Sequence, residues 1–322
     1  MSNRTRNIKM AVLFLTAVLA CAVYLLTDIN LKNERLLSYA MSLRIPRLLA
    51  MLLTAAAIGG ASIVFQSVIQ NRIVTPCLLG MNSLYTLIHT AVVFFLGSGS
   101  ALAVNANLAF LADLALMGIA AMGIYGFLFK KTRYNVLYVL LIGTVLSSLF
   151  SSVQNTMTRI MDPNEYDSLL VTLTASFTNI NSEILLLAAA VLAAAAMILR
   201  RDLALLDVIA LGKEQALNLG VDYDRCIRRL LLGVTVYIAA ATAMVGPVSF
   251  LGIIVANLSR QLFQTYRHGY LICGSVLFCA AVLAGGQLLT EKVFSYAVPV
   301  SVFITAGGGL YFLYLLLANR RA

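Results

Sequence analysis

Stretches of about 20 predominantly apolar residues recur along the whole chain, and a helix of that length crosses the roughly 30 Å hydrocarbon core of a bilayer. Lipid offers no hydrogen-bond partners to the backbone, so a chain built this way is confined to helices or a closed barrel. With apolar runs far longer than a barrel strand needs, helices are the reading. Composition agrees: 61% of the 322 residues are hydrophobic and 11% are charged. The expected spans are 10–27, 48–69, 83–97, 107–129, 135–157, 183–199, 229–246, 249–265, 270–288 and 298–317. The fold class is therefore all-α, a polytopic membrane protein with about ten transmembrane helices. No interval is left for a soluble domain, so 1–322 reads as a single transmembrane domain. Spans 83–97 and 249–265 are short for a full crossing and invite a tilted, broken or re-entrant arrangement.

Orientation follows from the cations, because loops rich in Lys and Arg are retained in the cytoplasm. With the N-terminus inside, Arg4, Arg6, Lys9, Arg72, Lys130, Lys131, Arg133, Arg200, Arg201, Lys213, Arg225, Arg228, Arg229, Arg260, Arg267, Arg320 and Arg321 are cytoplasmic, 17 of the 23. Lys32, Arg35, Arg44, Arg47, Arg159 and Lys292 fall outside. Both termini are thus expected in the cytoplasm, in a bacterial cytoplasmic membrane. The net charge of +10 is explained by this topology, which removes the reason to infer nucleic-acid binding.

Several signals point elsewhere and fail. The basic-then-apolar N-terminus, with Val18-Leu19-Ala20-Cys21, has the outline of a signal peptide. Further spans follow it, so an uncleaved first helix fits better. The five cysteines form no C-x-x-C pair and read as packing residues. His89 and His268 are the only histidines, and no H-E-x-x-H or G-x-S-x-G motif accompanies them, so no enzyme chemistry, cofactor or metal site is expected. Gly212-Lys213 lacks the glycine five residues earlier that a phosphate-binding loop requires; Asp207 stands there. If ATP drives this protein, another subunit binds it. Asp113 is the one acid in the interior of an expected span, Glu183 standing at the first position of another, and raises the alternative of an ion-gradient-driven secondary transporter. No basic or acidic partner is expected beside it, which favours a local helix-contact role.

The connection between Arg200 and Arg229 is the longest on the cytoplasmic side, with a coupling loop at 203–224. Gly212 and Gly220 punctuate a short helix whose first turn holds Glu214, where the helix dipole favours an acid. Alone, this is equally a surface linker. In the fifth span Thr144, Ser148, Ser151 and Asn155 recur at i, i+4, i+7 and i+11, with Ser147, Ser152 and Thr158 beside them. Such a polar face either lines a path or glues helices together.

Ala210, Leu211, Gly212, Ala216, Leu219, Gly220 and Val221 resemble the coupling loop of the FecCD/BtuC-like permease family of ATP-binding-cassette importers for iron-siderophores, haem and vitamin B12. Three further blocks resemble the same family in order. The first is Arg44-Ile45-Pro46-Arg47 followed by Gly59, Gly60, Gln66, Asn71, Pro76 and Leu78-Leu79-Gly80. The second is Gly246-Pro247-Val248-Ser249-Phe250-Leu251-Gly252 ending in Arg260, and the third is Val298-Pro299-Val300 through Gly307-Gly308-Gly309 to Phe312. Departures stand at Arg72-Ile73-Val74 after Asn71, where the family usually has Pro-Leu-Ala, at Ala256-Asn257, where it usually has Pro-His, and at Gln287 and Glu291, the latter next to Lys292, where it usually has Asp and Arg.

The resemblance implies a permease subunit that moves an iron-siderophore or related metal chelate. Leu211, Gly212, Glu214, Ala216, Leu219 and Gly220 would contact ATP-binding subunits that supply the hydrolysis. Thr144, Ser148, Ser151 and Asn155 would line the path shared with a second permease subunit, and the departures favour a heterodimer over a homodimer. Arg44 and Arg47, placed at the outer entrance to the second span, would pair with acidic residues of an extracytoplasmic substrate-binding protein. Their alternative is to anchor the helix at lipid headgroups.

Overall fold

The computed structural model describes residues 3–27, 34–100, 105–131, 136–177, 180 and 182–319. Lys32, Arg133, Arg320 and Arg321, used above for orientation, lie outside them. Each expected span falls on a helix. The order is α1 (Asn3–Leu26), α2 (Glu34–Ile69), α3 (Met81–Leu96), α4 (Ala106–Lys131), α5 (Val136–Ile160), α6 (Pro163–Leu173), α7 (Ser182–Ala204), α8 (Leu206–Ile209), α9 (Lys213–Asn218), α10 (Tyr223–Val245), α11 (Leu251–Phe263), α12 (His268–Lys292) and α13 (Val300–Asn319).

α2 is the hub. It packs against α10, α11 and α12 and touches α7 and α8, while α1 packs chiefly on α12 and also touches α2. Small residues allow this. A Cβ on Gly59 would meet the carbonyl oxygen of Ser275 and the Cα of Val276 at 3.0 Å each, so α2 and α12 cross with backbones almost in contact. In lipid, where apolar burial does not drive helices together, such close approach supplies the van der Waals contact that does. Met51, Phe65, Leu230 and Leu283 fill the surrounding core.

The helices extend, add to or interrupt the expected spans at three places. α2 starts at Glu34, not at 48, and carries Pro46 inside it. Hydropathy detects the lipid crossing, whereas the helix continues through polar residues beyond it. Arg44 and Arg47 therefore sit within the helix, just ahead of the expected 48–69 span. The connection between the fifth and sixth expected spans contains α6, which Asp162 caps by accepting from the amide of Asn164 with Pro163 at the first position. Glu165 accepts from the amide of Ser98 at 2.6 Å and ties α6 to the end of α3. Finally, the short eighth span is broken. α11 has 13 residues and is preceded by a non-helical stretch in which Gly246 and Phe250 have φ of 87° and 61°.

Candidate functional site

α8 and α9 form a small knuckle between α7 and α10. Gly212 joins them with φ 105° and ψ 169°, a region that only glycine occupies without strain, and Gly220 at φ 78° ends the knuckle. Leu206, Ile209 and Ala216 turn inward and are buried. Leu211, Leu217 and Leu219 point outward at 58%, 51% and 63% exposure, and Glu214 is exposed beside them. Lys213 Nζ reaches Asp224 at 2.9 Å and pins α9 to the start of α10. The knuckle thus presents three leucines on a braced element. The outward side of Leu217 was missed in the sequence because a six-residue helix is too short to show a periodic face.

Behind the knuckle, Asp207 on α8 meets the first residue of α12. Its Oδ1 accepts from the amide of His268 at 2.9 Å and contacts the ring Nδ1 at 2.5 Å. The other ring nitrogen, Nε2, lies 2.9 Å from Ser67 Oγ on α2. The order Asp207, His268, Ser67 has the outline of a hydrolytic triad, but the serine is not free to act in one. Its hydroxyl donates to the Ile63 carbonyl at 2.7 Å and accepts from Arg260 Nη2 at 3.0 Å. The chain is a tie between α8, α12 and α2.

These groups border a polar cavity of about 1050 Å³, framed by the 70–73 turn, the 207–211 segment, the end of α11 and the 264–268 turn. Gln66 Nε2 and Asn257 Nδ2 both donate to the carbonyl of Arg72, at 2.9 and 3.1 Å, and hold that turn in place. Asn257 is one of the departures from the family pattern, and this is its work here.

The polar stripe of α5 divides. Ser148 and Asn155 are exposed, Thr144 is half-buried, and Ser151 Oγ reaches Ser83 Oγ on α3 at 3.3 Å. Ser148 returns its proton to the Thr144 carbonyl at 3.1 Å, and Thr144 bonds the Leu141 carbonyl at 2.8 Å, so neither leaves a donor unsatisfied in an apolar setting.

At the opposite end of α12, Glu291 faces two arginines. Arg44 Nη2 and Arg47 Nη1 each lie 3.8 Å from its carboxylate, which also accepts from Gln287 at 3.1 Å and Tyr24 at 3.4 Å. Arg44 Nη1 bonds the carbonyls of Tyr24, Leu25 and Thr27 at 2.9, 3.1 and 2.6 Å and so caps the C-terminus of α1. Arg47 reaches Tyr296 OH at 3.3 Å and lies over its ring. Partial burial, followed by the Glu291 charge, holds the Tyr296 phenol above its ordinary pKa. Glu291, noted in the sequence only as a departure, is the acid that balances this cluster.

Asp113 also has a partner, contrary to expectation. His89 Nε2 on α3 lies 2.8 Å from Asp113 Oδ2 on α4, with both residues buried and Tyr85 packed on the imidazole. The pair is the helix contact anticipated for Asp113, made with a histidine that the spacing of two separate spans could not reveal.

A bundle of long apolar helices, with a short braced knuckle at one end, is the architecture of a multi-pass membrane protein. The chain belongs to the FecCD transport family, whose pattern it matches over residues 8–318. It is 38% identical over 316 residues to the petrobactin import system permease protein YclO of Bacillus subtilis (strain 168), covering 98% of this chain and 99% of that one. The petrobactin import system permease protein FatC of Bacillus anthracis is 30% identical over 277 residues, covering 86% and 78%. A solved metal-chelate type ABC transporter in an inward-facing conformation superposes with a TM-score of 0.83 at 22% identity, over 96% of this chain and 98% of that one, and shares its fold. The protein is accordingly a permease subunit of an ABC importer in the cytoplasmic membrane.

Proposed function

We propose that this subunit carries an iron-siderophore, delivered by an extracytoplasmic binding protein, into the cytoplasm through a path shared with a second permease. Similarity to two petrobactin import permeases, over 98% and 86% of this chain, supports that substrate class. Both termini and the 203–224 loop face the cytoplasm, in keeping with the distribution of lysine and arginine. ATP-binding subunits dock on the knuckle, with Leu211, Gly212, Glu214, Ala216, Leu219 and Gly220 as its elements. Ser148 and Asn155 line the path, with Thr144 and Ser151 on the flank of the same stripe. Arg44 and Arg47 receive the binding protein, and the second permease is a non-identical chain.

The observation that carries the ATPase reading is the outward row of Leu211, Leu217 and Leu219 on an element whose inner side is anchored by Leu206, Ile209 and Ala216. Exposed leucines on a rigid support suit a partner's apolar groove, and tight positioning lets that partner's motion reach the helices. The test is reconstitution of the complex with Leu217→Glu. Insertion and helix content are expected to persist while ATP-driven uptake of ferric siderophore is lost. Normal uptake by that variant would return the knuckle to a linker.

A further inference from the structure

The cavity behind the knuckle holds two guanidinium groups, and no carboxylate pairs with either among the described residues. Arg260 is held by Ser67 and, at 3.4 Å, by Gln66 Oε1, both neutral partners. The charge that acts on it is that of Arg72, which repels it. Asp207, the acid lining the cavity, is engaged by the amide and ring of His268. Gln66 and Asn257 meanwhile hold the Arg72 backbone, so the like-charged pair is built in rather than left to drift apart. A partly desolvated Arg260 with a second cation, Arg72, at the mouth of the same cavity is costly unless an anion completes the pair.

We propose that this cavity receives an acidic side chain of the ATP-binding subunit, inserted between Arg72 and Arg260 when the knuckle docks. The inference rests on the ATPase reading above and deepens it by naming the chemistry of the contact. Three observations favour a protein carboxylate arriving from this side. Ala210 and Leu211 of the knuckle form part of the cavity wall, so a partner seated on the leucines reaches the opening. Tyr266, 74% exposed on the neighbouring turn, offers an apolar rim that excludes water from the inserted group. Arg72 is exposed at the mouth and Arg260 lies deeper, a gradient of positive charge that draws a carboxylate inward. Guanidinium groups suit this task because their planar fork meets a carboxylate through two hydrogen bonds.

The test measures binding of the purified ATP-binding subunit to the permease in lipid nanodiscs between about 0.05 and 0.5 M salt, where screening of exposed charge changes most. Arg72→Glu, at an exposed rim where folding is not at stake, is expected to raise the dissociation constant about tenfold or more at low salt and to flatten the salt dependence, while Arg72→Lys, which keeps the charge but loses the planar fork, falls between it and wild type. Arg260→Gln is expected to weaken binding likewise. If both Arg72→Glu and Arg260→Gln bind as the wild type does while Leu217→Glu binds weakly, the cavity proposal is overturned and the knuckle remains the dock. If Leu217→Glu also binds normally, the ATPase reading of this face falls with it. If the permease alone binds inorganic phosphate in an Arg72-dependent manner with subunit affinity untouched, the cavity is a small-anion site and the proposal is again overturned.

Discussion

Asp207 and His268 are 61 residues apart in the chain, yet one carboxylate oxygen of the first meets both the amide and the ring Nδ1 of the second, at 2.9 and 2.5 Å. The carboxylate therefore caps α12 from outside, at the end where the helix dipole is positive. α12 in turn crosses α2 in near backbone contact at Gly59. The knuckle is thereby joined to the hub of the bundle through α12, a route along which a displacement would pass. Asp207→Ala removes the cap, which is worth about 1 kcal/mol, so the fold is expected to survive. The transport yield per ATP is expected to fall several-fold. Proteoliposomes in which hydrolysis and uptake are counted together check this, and an unchanged ratio would show that the contact transmits nothing.

Gly212 occupies a backbone region closed to residues with a side chain. Gly212→Ala is expected to add about 1–3 kcal/mol of local strain, and Gly212→Pro more, since proline holds φ near −65°. The membrane helices do not share this strain, so insertion and thermal stability of the bundle are expected to stay normal while uptake uncouples from hydrolysis. A variant that assembles and transports at the wild-type rate would remove the knuckle from the mechanism.

Along α5, the structure separates residues that the sequence grouped together. Ser148→Leu with Asn155→Leu alters an exposed face and is expected to slow uptake without affecting assembly. Ser151→Leu instead disturbs the contact with Ser83 and is expected to lower the melting temperature of the purified permease. Uptake at the wild-type rate by the first variant would assign the whole stripe to helix packing.

The His89 and Asp113 pair predicts a pattern in a double-mutant cycle. Breaking a buried pair by removing one partner costs about 3–5 kcal/mol, whereas replacing both with apolar residues is often nearly neutral. Asp113→Leu is thus expected to destabilise strongly, with stability largely restored in Asp113→Leu/His89→Leu. Calorimetry in nanodiscs gives the cycle, and a proton-gradient titration of ATP-driven uptake separates this role from ion coupling. Loss of uptake on collapse of the gradient with ATP present would revive the secondary-transporter alternative.

The apolar helices were legible because lipid imposes a characteristic length and polarity on a span, a rule that acts on each segment alone. The start of α2 was not, since Glu34 to Arg47 is helical for reasons other than lipid burial. Nor were the contacts that make up the candidate sites. Asp207 with His268, His89 with Asp113, and Arg44 with Glu291 each join residues on different helices, and a single sequence carries no measure of which helices are neighbours. Gly212 is the exception, because a required backbone angle is a local property that glycine announces. Glu291 drew notice as a substitution, but its meaning needed Arg44 and Arg47 beside it.

The thirteen residues of α11 extend about 20 Å, roughly two-thirds of the hydrocarbon thickness, and residues 246–250 cover the rest without helical hydrogen bonds. A complete helix behaves as a strut: it tilts and slides, but changing its length means breaking backbone bonds. The stretch ahead of α11 is a joint that can lengthen or shorten by dihedral rotation alone. Its polar backbone is tolerable only away from lipid, and Cys77 Sγ, 3.7 Å from the Val248 carbonyl, belongs to the protein wall that shelters it. A rocking motion that needs one crossing to change span can therefore take up the difference here, leaving its neighbours rigid.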